Sequence, residues 1–151
     1  MRKLTIGEQV KLLINGISHQ GLGVGRIDNM VVFVEGVLPG ETVTAEITKV
    51  KSNMAYARVL KIINQATRRI NSPCALAEEC GGCALQQAEY AWQLELKGQI
   101  VKDALQRIGH LDIEPLAAIG MSEPWNYRNK GLFHVSYEGG QARLGFFAQG
   151  S

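Results

Sequence analysis

Apolar and polar residues alternate with a period of two along the first part of the chain. Val10, Leu12 and Ile14 alternate with Lys11, Leu13 and Asn15. Val43, Ala45 and Ile47 alternate with Thr42, Thr44, Glu46 and Thr48, and Met54, Tyr56, Leu60 and Ile62 continue the pattern. Met30-Val31-Val32-Phe33-Val34 is a continuous apolar run. A period of two is the signature of a strand, because successive side chains point to opposite faces. The breaks carry turn chemistry at Asn15-Gly16, Asp28-Asn29 and Leu38-Pro39-Gly40-Glu41. Short strands at this spacing predict a small barrel or sandwich.

The period then changes. Leu85, Ala88, Trp92, Leu96, Ile100, Ala104 and Ile108 recur three or four apart, and Leu94, Val101 and Leu105 widen the stripe. This predicts one long helix over 84–109, ending at Gly109. Gly98 in its interior costs about 1 kcal/mol relative to Ala. Beyond Pro115 the period of two returns. Phe133, Val135 and Tyr137 alternate with Leu132, His134 and Ser136. Glu138-Gly139-Gly140-Gln141 then turns the chain into a return strand, which predicts a hairpin. A lone hairpin is marginal in water, so the sequence reads as stopping inside a domain. The expected class is mainly β with one long helix.

Gly21-Leu22-Gly23-Val24-Gly25 invites a phosphate-loop reading, but Arg26-Ile27-Asp28 leads on to another strand rather than into a helix. A bent or bulged strand explains these glycines better.

Composition narrows the possibilities. The chain has 151 residues, 46% hydrophobic and 20% charged, an ordinary globular balance. No apolar run is long enough to span a membrane, and the N-terminus lacks the apolar core of a signal peptide. A cytoplasmic protein is expected. The net charge of +2 hides an asymmetry. From Ile47 to Ala77 the chain has Lys49, Lys51, Arg58, Lys61, Arg68 and Arg69 and no acidic residue, whereas Asp28, Glu35, Glu41 and Glu46 precede it. Small barrels present such basic strips to RNA beside aromatic platforms, and Tyr56 is the aromatic in this stretch. A second basic cluster is Tyr127-Arg128-Asn129-Lys130, with Arg143 across the hairpin. Lys51, Arg58, Arg128 and Lys130 are the candidate phosphate contacts. A solvated strand face explains the same charges without RNA.

The 3 cysteines, Cys74, Cys80 and Cys83, are spaced C-x5-C-x2-C. An odd number so closely grouped argues against a disulfide framework. Thiolates suit iron–sulfur clusters, zinc or copper(I), and the glycines of Cys80-Gly81-Gly82-Cys83 allow a tight turn with free amides. A fourth ligand is needed. His19, His110 and His134 are the histidines, all distant in sequence. Spacing leaves iron–sulfur against zinc open. A thioredoxin-like redox pair would need a βαβ context that is missing.

These residues resemble one family, the RNA (uracil-5-)-methyltransferases, in the 23S rRNA branch with an N-terminal TRAM domain. The TRAM resemblance rests on Gly21-Leu22-Gly23-Val24-Gly25-Arg26 and on Val32-Phe33-Val34-Glu35-Gly36-Val37-Leu38-Pro39-Gly40-Glu41. A second patch is Cys74 with Cys80-Gly81-Gly82-Cys83-Ala84-Leu85-Gln86, then Tyr90, Gln93-Leu94 and Lys97. The third is Pro124-Trp125-Asn126-Tyr127-Arg128-Asn129-Lys130, followed by Leu144-Gly145-Phe146. Gln87 departs from the family, where many members have His.

The resemblance implies an OB-like TRAM barrel over 1–63 that binds RNA. It implies an iron–sulfur segment with its helix over 64–110 and an incomplete central RNA-binding β domain over 111–151. Cys74, Cys80 and Cys83 would ligate a [4Fe-4S] cluster, with a fourth Cys beyond Ser151. S-adenosylmethionine would bind a further domain that also supplies the catalytic residues, so this chain alone would hold none and be inactive. Ribosomal RNA is the implied partner and a monomer the expected state. Two other readings compete: a standalone RNA-binding module with a structural zinc or iron–sulfur site, and a small redox protein.

Overall fold

The computed structural model describes residues 3–148. Eight elements follow in order: β1 Gln9–Ile17, β2 Gly23–Ile27, β3 Met30–Val34, β4 Thr42–Val50, β5 Met54–Asn64, α1 Tyr90–Arg107, β6 His134–Glu138 and β7 Gln141–Gly145. The first five strands close into a barrel in the order β1-β2-β3-β5-β4, with β4 returning to β1. β3 and β5 pair in parallel and every other pair is antiparallel. This is an OB-like barrel, as the alternation and the resemblance led us to expect.

The period of two does what it implies. Val10, Leu12, Ile14, Val43, Ala45 and Ile47 point inward with Val32, Val34, Ala55 and Ala57, forming a buried aliphatic core. Closure leaves no unpaired strand edge. The glycines of β2 allow this closure. A Cβ on Gly23 would lie 2.4 Å from Cγ2 of Val37, and one on Gly25 would lie 2.8 Å from the carbonyl oxygen of Leu13.

The turns divide. Asp28, at φ 49°, and Asn29 form the two-residue β2–β3 connection. At Leu38-Pro39-Gly40-Glu41 the Glu41 amide donates to the Leu38 carbonyl at 3.2 Å, with Gly40 at φ 86°. Proline second and a positive-φ glycine third is the type II pattern. Asn15-Gly16 is not a turn: β1 runs through it, and a bulge between Ile14 and Gly16 takes up Asn15 as the extra residue. The chain reverses later, where Ser18 donates its amide to Leu22 and receives the Gly21 amide.

The helix begins later than periodicity predicts. Residues 87–89 pair with 68–70 instead: Ile70 donates to the Gln87 carbonyl and Glu89 to the Arg68 carbonyl, around an Arg69–Ala88 bridge. Helical geometry there would break these bonds, so Ala88 packs from a bridged segment and Leu85 from the turn before it. Leu96 of α1 joins Ile17, Leu38 and Ala88 in a second small core, flanked by Trp92 and Ile100. The C-cap is Ile108, and His110 rather than Gly109 takes the positive φ, 51°.

β6 and β7 form the expected hairpin. Its two-residue loop is Gly139-Gly140, both with positive φ, as a type I′ turn requires. Val135, Tyr137, Ala142 and Leu144 lie on one face and are all exposed. No helix among the described residues is long and apolar enough to cross a membrane.

Candidate nucleic-acid interface and cysteine loop

The acid-free stretch contributes less free charge than its sequence suggests. Arg69 donates from Nε to Oε1 of Glu41 at 2.6 Å, and from Nη2 to Oε2 at 2.9 Å and to the Gly36 carbonyl at 2.8 Å. Glu41 is fully buried and also accepts the Leu38 and Ala66 amides. Arg68 bridges Glu89 at 3.0 Å and Glu95 at 2.6 Å, with its guanidinium 5.6 Å from the centre of the Trp92 ring. Those two hydrogen bonds, Glu95's first, raise the Arg68 pKa, and the bond from Arg68 holds the Glu95 carboxyl below its ordinary range. Arg58 reaches Glu46 at 3.3 Å on the barrel surface. Lys49, Lys51 and Lys61 have no carboxylate within ion-pair distance among the described residues.

Of the four proposed phosphate contacts, Lys51 is therefore the barrel's unpaired one. Its ammonium sits 5.7 Å from the centre of the Tyr56 ring. Sequence reasoning missed Phe33, which stacks on Tyr56 with ring centres 5.4 Å apart. A continuous apolar run such as Met30–Val34 does not show which of its residues face outward, and Phe33 does. Sequence reasoning also missed the buried role of Glu41, for which a lone acid in a turn gives no signal.

The three cysteines lie on an irregular loop of turns. Cys80 donates its amide to the Leu76 carbonyl at 2.8 Å, Ala77 donates to that of Cys74 at 3.2 Å, and the Gly82 amide donates to Sγ of Cys80 at 3.4 Å. Cys74 and Cys83 are exposed, Cys80 is partly buried, and none is in a disulfide. The donor set is soft, accessible and carries an amide–sulfur hydrogen bond, which suits a thiophilic centre. Among the described residues, however, no three His, Cys, Asp or Glu side chains are gathered closely enough to hold a metal ion. His134 packs instead against Phe147, ring centres 4.2 Å apart.

Arg128 stands beside this loop. Its guanidinium lies 5.9 Å from the Tyr127 ring centre. The neighbouring Tyr127 side chain raises its pKa, chiefly by hydrogen bonding. A cleft of about 900 Å³ opens here, with Cys83, Tyr90, Lys97, Trp125, Tyr127 and Arg128 in its lining. Lys130, two residues on in sequence, is exposed, and Arg143 is paired with Glu138 at 3.2 Å. The two basic clusters thus sit on separate elements, one on the barrel and one by the cysteine loop.

Residues 3–60, which hold this closed barrel with its outward aromatic and cationic strip, match the family model of the TRAM domain. Over nearly its whole length the chain is similar to proteins named RNA methyltransferases. A protein from Caldanaerobacter subterraneus named an uncharacterized RNA methyltransferase is 45% identical over 148 residues, 98% of this chain and 33% of that protein. Another so named, from Listeria monocytogenes, is 40% identical over 144 residues, 95% of this chain and 32% of that protein. The chain spans about a third of the length of the curated relatives it matches. The solved Pyrococcus abyssi tRNA (uracil-54, C5)-methyltransferase, in complex with S-adenosyl-L-homocysteine, aligns at 23% identity and a TM-score of 0.42, over 62% of this chain and 21% of that one.

Proposed function

We propose that this chain is the RNA-binding, cluster-bearing portion of an S-adenosylmethionine-dependent 23S rRNA (uracil-5-)-methyltransferase that works as a monomer in the cytoplasm. The observation that carries this reading is the 45% identity to a protein named an RNA methyltransferase, extending over 98% of the chain. The uracil-5 and 23S assignments rest on the resemblance of the Cys80-Gly81-Gly82-Cys83 and Tyr127-Arg128-Asn129-Lys130 patches. In this reading residues 1–63 bind RNA, 64–110 carry the cluster, and 111–151 begin a second RNA-binding sheet.

Each part of the chain has a task. Lys51, Arg58, Arg128 and Lys130 neutralise phosphates, Arg58 exchanging its exposed Glu46 partner for one. Exposed ion pairs are weak, so that exchange costs little. Cys74, Cys80 and Cys83 would supply three of the four ligands of a [4Fe-4S] cluster, drawn together on the loop when it assembles. Methyl transfer needs no electron, so the cluster braces the loop beside Arg128. S-adenosylmethionine supplies the methyl group in a domain outside this chain. None of the three cysteines is its nucleophile.

The test is anaerobic purification of the chain, followed by iron, sulfide and zinc analysis and by assays with 23S rRNA. Iron with sulfide, retention of 23S rRNA over an unrelated RNA of equal length, and no methyl transfer by the chain alone are expected. Stoichiometric zinc without iron overturns the cluster and favours a zinc-stapled RNA-binding module. Equal retention of both RNAs overturns the 23S assignment, and turnover by the chain alone overturns the division of labour.

A further inference from the structure

The core of the barrel is entirely aliphatic, and the only aromatic residues of the barrel strands, Phe33 and Tyr56, lie outside it. They are direct partners across the parallel β3–β5 pair, partly buried on its outer face, with their rings stacked at 29°. Large rings left at a surface whose interior excludes them mark a surface made for contact.

Cations frame the pair. The strand register places Val24 of β2 beside Phe33 and Lys49 of β4 beside Tyr56. A bulge between Ile47 and Lys49 brings this about. Ile47 points into the core, so strict alternation would turn Lys49 inward as well. The extra residue, Thr48, lets both Thr48 and Lys49 face out, while Val50 returns to pack on the core. Lys51 then reaches over the Tyr56 ring. One row away, Arg26 pairs with Val31 on the same outer face. Arg26, Lys49 and Lys51 are exposed and have no carboxylate partner among the described residues. The Glu46 carboxylate on the same sheet is engaged by Arg58.

We propose that Phe33 and Tyr56 form a stacking platform for unpaired bases of single-stranded RNA, with Arg26, Lys49 and Lys51 neutralising the flanking phosphates. This rests on the RNA-binding reading above and specifies its ligand. An unpaired base has a free face to lay on a ring, whereas in an A-form duplex the bases already cover one another and offer only their edges, the major-groove ones in a groove too deep and narrow for side chains. A ring pair therefore adds affinity only for a single strand, without regard to base identity. Lys51 leaves Tyr56 for a phosphate on its flexible stem, which exposes the ring to the base.

The test is fluorescence anisotropy of the full chain with a labelled oligoribonucleotide of about twelve residues, alone and annealed to its complement. The wild type is expected to prefer the single strand by about tenfold or more, and Phe33→Leu/Tyr56→Leu to weaken single-strand binding by about tenfold with an unchanged salt slope. Lys49→Gln/Lys51→Gln should lower that slope by about 0.7 for each phosphate no longer neutralised. Photocrosslinking of wild-type chain to a 4-thiouridine oligoribonucleotide provides a readout that needs no variant to fold, and crosslinks to peptides holding Phe33 or Tyr56 are expected. Binding by the aromatic double variant equal to wild type, a duplex bound as tightly as the single strand, or crosslinks confined to 118–147 would each overturn the platform. If Arg128→Gln/Lys130→Gln weakens binding and the aromatic variant does not, the platform falls and RNA binding stands. If the wild type binds no RNA at all, both fall.

Discussion

Glu41 shows how one side chain serves several segments. Its carboxylate takes two guanidinium bonds from Arg69 and amides from Leu38 and Ala66, so a barrel turn, the end of β5 and the approach to the cysteine loop meet at one group. Removing one member of a buried pair strands the other, whereas an exposed pair is largely replaced by water. Glu41→Gln should therefore lower stability by about 3 kcal/mol, and Arg58→Gln by less than about 1 kcal/mol. Urea unfolding of the two variants measures the contrast, and equal losses would contradict it. Glu95 gives a pH dependence. Its folded pKa is depressed by Arg68, so its contribution is present above the ordinary carboxylate range and fades as pH falls through the folded value. The pair is exposed, so the contribution is small. Wild type and Glu95→Gln should differ by a constant amount above about pH 5 and converge in more acidic solution, as thermal melts across pH would show.

At the scale of elements, two glycines predict opposite signs. In β2 a Cβ on Gly23 would meet Val37 and Ile14, at 2.4 and 3.0 Å, inside a closed barrel that has no slack to give. Gly23→Ala should cost about 1–3 kcal/mol, as overpacking does. Gly98, in the interior of α1, has nothing within 4 Å of a Cβ. Gly98→Ala should stabilise by about 0.5–1 kcal/mol, because alanine loses less backbone entropy in a helix. Thermal unfolding of the two single variants checks both signs. The same elements show what was legible in the sequence. Alternation revealed the barrel strands, because each buries one face and leaves the other in water. It did not reveal the start of α1, since apolar residues at helical spacing also suit a turn that leads into a segment hydrogen-bonded to 68–70. Nor did it identify Asn15-Gly16 as a bulge, because a dipeptide that suits a tight turn also suits an extra residue in a strand. Of the candidate site, Lys51 beside Tyr56 was legible and Phe33 was not. The inactivity of Arg68 and Arg69 as surface charges depended on Glu41, Glu89 and Glu95, which are remote in sequence and close only after folding.

At the scale of the molecule, protection is uneven, and the unevenness has a physical origin. The barrel buries an aliphatic core behind a closed ladder, so its amides open only when the barrel does. The β6–β7 hairpin has the same kind of backbone bonding, but Val135, Tyr137 and Leu144 are 63%, 78% and 72% exposed. Nothing apolar covers that face among the described residues, and a two-stranded ribbon without a covered face is marginal. Its end is held by polar contacts, the Gly81 amide donating to the Phe147 carbonyl beside a Cys80–Ala148 bridge. In hydrogen exchange, amides of β1, β3 and β4 should be the slowest in the chain, and those of 134–145 should exchange at least about a hundredfold faster. Helix α1, with Leu96 buried and most of its surface wet, should fall between them. Slow exchange in the hairpin at low protein concentration would contradict this order. Slow exchange that appears only as concentration rises would mean that a second chain covers the apolar face. Because the Gly81–Phe147 bond links hairpin to cysteine loop, assembling a metal centre on the cysteines should slow exchange at Gly81 and leave the amides of Val135 and Leu144 unchanged.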